Sequence, residues 1–354
     1  MMVCFTGGGT FGHILPALAV HEILKTEPGY QCFWIGRENN EERTAIENED
    51  IEFFPIQSGK LRRYFSLRNL SDCFHLVVAF FQALAILAKK RPDVLFSKGG
   101  FVSVPPVFAA RILGIPVVTH ESDATPGLAT KLIAPFARYI CLGFAEAASG
   151  FAANKTIVTG NPIRGELLHE PLGSIRETLD IASDVPLLFI MGGSQGAQQI
   201  NELVRENLDE LCKRAFVYHQ CGKRDFRAIK HANYFATEIV GKEMGSLYRE
   251  STVIVSRGGA GSICELAHFG CASILIPLPV KASRGDQVVN ARKLEKTSAA
   301  IVLENDVTAK NFLEAVTDLL ENGEKRSILS KNIKSYVIEG SADKIASVIK
   351  QTRT

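Results

Sequence analysis

Met2-Val3-Cys4-Phe5-Thr6-Gly7-Gly8-Gly9-Thr10-Phe11-Gly12-His13, followed by the apolar-periodic stretch 14–25, decides the fold class. An apolar strand, a glycine turn and a helix open a βαβ unit whose strand is buried on both faces. The order returns at Leu187-Leu188-Phe189-Ile190-Met191-Gly192-Gly193-Ser194-Gln195-Gly196-Ala197, ahead of a helical stretch over 197–211. Outside the two turns the halves share little sequence, so the recurrence is one of architecture.

Working outward, residues 32–35, 94–97, 117–120 and 157–159 read as further buried strands, with helices over 76–90, 105–113 and 128–134. In the second half, strands are expected at 216–220, 252–256, 273–276 and 300–302, and helices at 262–269 and 287–294. Strands alternating with helices require parallel sheets joined by crossovers, giving two doubly wound α/β domains. The boundary is expected within 161–184, where Gly160-Asn161-Pro162 breaks the pattern, and the last helix, 341–351, can pack on either domain.

Length and composition agree. The 354 residues suit two domains, and 46% hydrophobic with 22% charged residues excludes disordered, collagen-like and coiled-coil chains. A net charge of +2 makes general nucleic-acid binding an unlikely use of the surface. Eight cysteines without a CxxC pair argue against a zinc site or a disulfide scaffold and fit reduced thiols. The first residues lack a basic segment before an apolar one, so a cytoplasmic destination is expected. The apolar segment 74–88 contains His75 and Gln82 and is shorter than a spanning helix. It reads either as a helix buried on the sheet or as one partly exposed at a membrane surface.

Several motifs sit where such sheets bind ligands, at the carboxyl ends of strands. The glycine loop 7–13 directs backbone N–H groups and a helix start at one point, which suits phosphate oxygens, although glycines also serve a tight strand-to-helix turn. Arg37 ends the second strand where a dinucleotide-binding domain would carry an acid. Glu265, in the first turns of a helix after Ser256-Arg257-Gly258-Gly259-Ala260-Gly261-Ser262-Ile263-Cys264, can accept two sugar hydroxyls or complement the helix dipole. Asp286 and Gln287 can read sugar hydroxyls, or Asp286 can cap a helix. His13, Phe101, His120 and Asp123 are expected to converge on one crevice, with His13 placed for proton transfer or phosphate contact.

Taken in order, residues 8–13, 97–103, His120-Glu121-Ser122-Asp123 with Pro126-Gly127-Leu128, Gly160-Asn161-Pro162-Ile163-Arg164, 192–197, 256–265 and Asp286-Gln287-Val288-Val289-Asn290-Ala291 resemble glycosyltransferase family 28 nearly end to end. The resemblance is to members that move N-acetylglucosamine (GlcNAc) from UDP-GlcNAc to the 4-hydroxyl of MurNAc in undecaprenyl-diphospho-MurNAc-pentapeptide, turning lipid I into lipid II for peptidoglycan. It implies a GT-B fold: two Rossmann-like domains facing a cleft, 1–163 for the acceptor and membrane and 164–337 for UDP-GlcNAc, with a last helix, 338–354, packing back on the first. It implies an inverting transfer with no cofactor and no strict need for metal, on the cytoplasmic face of the bacterial inner membrane, with peripheral attachment. Substrate contacts are implied for Thr10, Phe11, Gly12, His13 and Asp123, with the first loop at the acceptor diphosphate or donor sugar. Arg164 and Ser194 are implied at the UDP phosphates and Val240 near uracil. Substrate contacts are implied as well for Ala260, Gly261, Ser262, Ile263, Cys264 and Glu265, with Glu265 on the ribose, and for Gln287 on GlcNAc hydroxyls. His13 is the candidate base and Asp123 its rival.

This sequence has Phe11 where the commoner family form has Gly, Ser122-Asp123 in place of Gln-Asn, and Asp286 before Gln287 in place of paired glutamines. Asp123 near phosphates is unfavourable unless paired, protonated or turned to sugar hydroxyls. For the membrane, Arg62 and Arg63 with Phe74 and Phe81 combine basic and apolar groups, an attraction of about 1 kcal/mol per charge at an anionic surface. Competing readings are a related GT-B enzyme with another lipid or aglycone acceptor, a UDP-GlcNAc 2-epimerase, and a nucleotide-sugar-binding protein without turnover.

Overall fold

The structure, a computed structural model, describes residues 1–57, 68–168, 173–192, 196–280 and 285–353, and for 68–74 the backbone only. The chain divides into two compact units, Met1–Arg164 with Ile338–Thr354, and Gly165–Val337.

The first unit runs β1 (Met2–Thr6), α1 (Phe11–Lys25), β2 (Gln31–Arg37), α2 (Asn40–Glu47), β3 (Glu52–Ile56), α3 (Arg68–Lys90), β4 (Val94–Ser97), α4 (Val104–Ile112), β5 (Val117–Glu121), α5 (Leu128–Ile133), β6 (Tyr139–Leu142) and β7 (Thr156–Val158). Its sheet is parallel in the order β3-β2-β1-β4-β5-β6-β7. The order reverses between β1 and β4, which opens a crevice at their carboxyl ends. Val3, Cys4, Phe5, Leu95 and Phe96 are fully buried because helices cover both faces. One face packs Ala79, Ala83 and Leu87 of α3, Val107 and Ala110 of α4, and Ala129 and Ile133 of α5. The other packs Ile14, Ala17 and Val20 of α1 with Ile345, Ala346 and Ile349 of the last helix.

The second unit continues α6 (Gly165–Leu168), α7 (Ile175–Thr178), β8 (Leu187–Met191), α8 (Gln198–Glu206), α9 (Leu208–Cys212), β9 (Phe216–Gln220), β10 (Tyr234–Thr237), α10 (Met244–Glu250), β11 (Val253–Ser256), α11 (Ala260–Phe269), β12 (Ser273–Leu275), α12 (Asp286–Lys296), β13 (Ile301–Val302), α13 (Ala309–Glu321) and α14 (Gly323–Ile333). Its parallel sheet has the order β10-β9-β8-β11-β12-β13, reversing between β8 and β11. The chain then returns to the first unit as α15 (Ser341–Thr352), which packs on α1.

Two differences from the sequence reading have local causes. The single helix expected over 197–211 is broken, because the Asn207 side chain donates to the carbonyls of Leu203 (2.9 Å) and Ala309 (3.1 Å) and competes with the helical ladder. Strand β3 escaped the reading because it holds Pro55, which is tolerated on an edge strand such as this.

Candidate functional site

In the first unit, three loops leave the carboxyl ends of β1, β4 and β5. The β1 loop is anchored at its base by Trp34 Nε1, which donates to the Gly7 carbonyl at 3.2 Å. Its far side meets the β4 loop at Gly100, whose φ is +79° and where a Cβ would lie 2.7 Å from the Gly8 carbonyl. No side chain other than hydrogen fits that approach. The same position lies 3.7 Å from His13 Nδ1, so the imidazole sits over the glycine backbone. Thr10, the N-cap of α1, makes no capping bond to a helix amide. Its hydroxyl lies 3.2 Å from His13 Nδ1, which leaves Nε2 as the nitrogen on the far side of the ring.

The loop does not present all its amides to a ligand. Gly9 N–H donates to both carboxylate oxygens of Glu42 (3.0 and 3.3 Å), the third residue of α2, which is 4% exposed. Burial raises the Glu42 carboxyl above its ordinary range, opposed by the Gly9 bond and the nearby Arg37 charge. Glu42 was not singled out from the sequence. The one available signal was an acidic first turn following the second strand.

At β4 and β5, the buried Lys98 donates from Nζ to Ser122 Oγ at 2.5 Å, and Asn161 Nδ2 donates to the Ser122 carbonyl at 3.0 Å. Glu121 shapes the following turn by accepting from Asp123 N–H (3.1 Å) and Gly127 N–H (2.9 Å). Asp123 and Phe101 are half-buried at these strand ends. His120 is not in the crevice. It is fully buried, and its Nε2 donates to the Gly160 carbonyl at 2.9 Å. Burial, then the Lys98 charge, holds it well below its usual range, so it is a neutral core group. Arg164, half-buried, is the last residue of the first run of this unit.

In the second unit the equivalent loops follow β8, β11 and β12. Glycine 258 lets the β11 loop touch the start of α12, since a Cβ there would lie 2.6 Å from the Gln287 carbonyl. Gln287 accepts from Leu278 N–H through Oε1 (3.0 Å), which turns its amide NH2 group away as a donor for other partners. Residues Ala260, Gly261, Ser262, Ile263, Cys264 and Glu265 form the first turns of α11. Ile263 and Ala260 are buried and Gly261 is exposed. Glu265 Oε2 accepts from the Tyr248 hydroxyl at 2.6 Å. Val240 is buried, and its N–H donates to Gln220 Oε1 at 3.2 Å.

Arg257, like Tyr248, was missed by the sequence reading. Its guanidinium ties the ends of two strands to α8 through the Ile276 carbonyl (2.9 Å) and Gln199 Oε1 (3.0 Å), and burial lowers it to about 10. Ser194, Arg62 and Arg63 lie outside the described residues, as does the side chain of Phe74. Phe81 is 61% exposed. Among the described residues, no group of three or more His, Cys, Asp or Glu side chains is placed to hold a metal ion, and no helix is long and apolar enough to cross a membrane.

Comparison with known proteins places this geometry in a family. The N-acetylglucosamine transferase of Clostridium botulinum (strain Kyoto), named for N-acetylmuramyl-(pentapeptide) pyrophosphoryl-undecaprenol, is 41% identical over 99% of this chain and 98% of its own. The crystal structure of Acinetobacter baumannii MurG superposes with a TM-score of 0.75 over 99% of each chain at 24% identity. A UDP-GlcNAc 2-epimerase from Neisseria meningitidis, bound to UDP-GlcNAc, shares the fold at a TM-score of 0.71 and 14% identity, covering 99% of this chain and 100% of its own. The N-terminal domain of glycosyltransferase family 28 matches residues 3–141 and its C-terminal domain residues 187–350. With two parallel sheets, each carrying its polar loops at the switch point, and both family domains matched in sequence, the chain belongs to glycosyltransferase family 28.

Proposed function

We propose that this protein transfers GlcNAc from UDP-GlcNAc to the 4-hydroxyl of MurNAc in lipid I, releasing UDP and forming lipid II. The observation that carries the reading is the end-to-end 41% identity to relatives named for this transfer. In the step, the acceptor oxygen bonds to the anomeric carbon of GlcNAc from the face opposite UDP. The bond from that carbon to the diphosphate oxygen breaks, and UDP leaves with the electron pair. Arg164, Ser194 and the start of α11 are suited by charge, hydroxyl and backbone N–H groups respectively to stabilise the departing diphosphate. His13 takes the hydroxyl proton on Nε2, its Nδ1 being beside the Thr10 hydroxyl. Glu265 accepts from the ribose, Gln287 donates to GlcNAc hydroxyls, and Val240 borders the uracil. Asp123 and the loop 10–13 serve the acceptor.

Labelled UDP-GlcNAc with a short-chain lipid I analogue should give labelled disaccharide lipid in excess chelator. Absence of product, with UDP-GlcNAc bound and a control enzyme active, overturns the acceptor assignment. His13→Ala should lower kcat by about 10²- to 10⁴-fold with acceptor binding retained. Little loss of turnover would remove His13 as the base.

The same protein is proposed to dock peripherally on an anionic membrane surface through the first unit. Its neighbouring helices α3, α4 and α5 expose Val77 (54%), Phe81 (61%) and Ile112 (66%), together with Phe108, Leu128 and Leu132. Exposed Lys89, Arg111 and Lys131 lie on the same helices. Apolar side chains beside cations favour an interfacial over a spanning attachment.

A further inference from the structure

We propose that Tyr248 is a positioning residue that orients the Glu265 carboxylate toward the ribose diol and thereby sets the preference for a ribonucleotide sugar donor. This rests on the reading of Glu265 as the ribose contact. Tyr248 lies in α10, is 2% exposed, and donates its hydroxyl to Glu265 Oε2 at 2.6 Å. Its ring is stacked on Phe269, with centroids 5.1 Å apart and planes 4° from parallel. Phe269 stands four residues after Glu265 in α11, one turn along the same face. Tyr248 therefore lies along that face of α11, with its ring fixed by one residue and its hydroxyl delivered to the other.

Two further contacts lock the ring. Phe189 of β8 meets it edge-on at 6.2 Å, and the hydroxyl lies 3.6 Å from Met191 Sδ at the end of β8. Tyr248 thus links α11 to the strand across the switch point, where β8 and β11 are neighbours. A glutamate on its own rotates about its last side-chain torsion, which is broad. With Oε2 held by a short bond to a rigid donor, the carboxylate is restricted before the ribose arrives, which lowers the cost of ordering it on binding. The phenol donates and the carboxylate accepts, and a carboxylate offers about four acceptor sites in all, so sugar hydroxyls can donate to it as well.

The test compares kcat/KM for UDP-GlcNAc with that for its 2′-deoxyuridine analogue, both measured on one preparation so that the ratio is independent of the folded fraction. The wild-type ratio is expected at roughly 10- to 100-fold, the range of one or two hydrogen bonds to a charged group. Glu265→Ala should bring it near unity. Tyr248→Phe, which keeps the ring and its stack, should lower it at least threefold while leaving KM for the acceptor unchanged. A wild-type ratio in Tyr248→Phe, with Glu265→Ala collapsed, overturns the role of Tyr248 and leaves the reading of Glu265 standing. A ratio unaffected by Glu265→Ala overturns that reading and this inference with it.

Discussion

Glu42 occupies, from within the protein, a backbone amide of the kind that a diphosphate would use. Its carboxylate fixes Gly9, while His13 is held by Thr10 and packed over Gly100. Because burial raises the Glu42 carboxyl, its ionised form is disfavoured by folding. The contribution of this group is therefore most favourable at low pH and is lost as pH rises through its folded-state value. Glu42→Gln keeps an oxygen acceptor for Gly9 without the charge. It is expected to melt at or above the wild-type temperature at pH 7, with the difference shrinking as the pH falls into the carboxylate range. A lower melting temperature at pH 7 would show that the charge itself stabilises the loop. Residues of this kind were hidden from the sequence reading, since Glu42, Tyr248 and Arg257 each act through a partner far along the chain. His13, Glu265 and Gln287 were singled out because each stands in or beside a glycine turn that follows a buried strand.

At the scale of elements, most buried strands announced themselves by continuous apolar runs, but β6, buried between β5 and β7, was not read as a strand. Edge strands β3 and β10 were missed as well, both being of mixed composition and β3 holding Pro55, whereas the edge strands β7 and β13 fall where strands were expected. Apolar segment 74–88 is, from His75 on, buried along one face and exposed along the other. Ala79, Ala83 and Leu87 bury one face of α3 on the sheet while Val77 and Phe81 face outward. Replacing Phe81 and Ile112 together by Glu should reduce sedimentation with anionic liposomes at low salt at least several-fold, with transfer to a soluble acceptor analogue unchanged. Equal sedimentation of variant and wild type would remove this face as the membrane contact. Loop packing gives a second check: Gly258→Ala forces a Cβ against the Gln287 carbonyl, a strain of about 1–3 kcal/mol. It should raise KM for UDP-GlcNAc by about 5- to 100-fold with KM for the acceptor unchanged, and a uniform loss of both would contradict the assignment of α12 to the donor.

For the molecule as a whole, pH acts on both units through buried histidines. Burial, then the Lys25 charge, lowers His21 to about 4, and burial, then Arg205, lowers His219 to about 3, while His120 is held well below its ordinary value. Each folded-state value lies below the unfolded one, so their stability is complete above about pH 6.5 and is lost as the pH falls. The slope is at most about 1.4 kcal/mol per pH unit for each group, so both units should lose stability between about pH 6.5 and 5, and the first, with two of these histidines, the more steeply. Melting curves that stay flat from pH 7 to 5 would contradict this. Two doubly wound units were legible from the recurrence of strand, glycine turn and helix, whereas the pattern alone left the last helix free to pack on either domain, since an amphipathic helix carries no record of the face it will cover; only the family resemblance implied its return to the first unit. The claim that binds the account together is inverting transfer to the lipid-linked acceptor. It is tested most directly by proton NMR of the product formed from UDP-GlcNAc and a short-chain lipid I analogue in chelator. The account predicts one β-linked GlcNAc on the 4-oxygen of MurNAc for each UDP released. An α linkage, epimerised sugar nucleotide, or UDP release without disaccharide would contradict it.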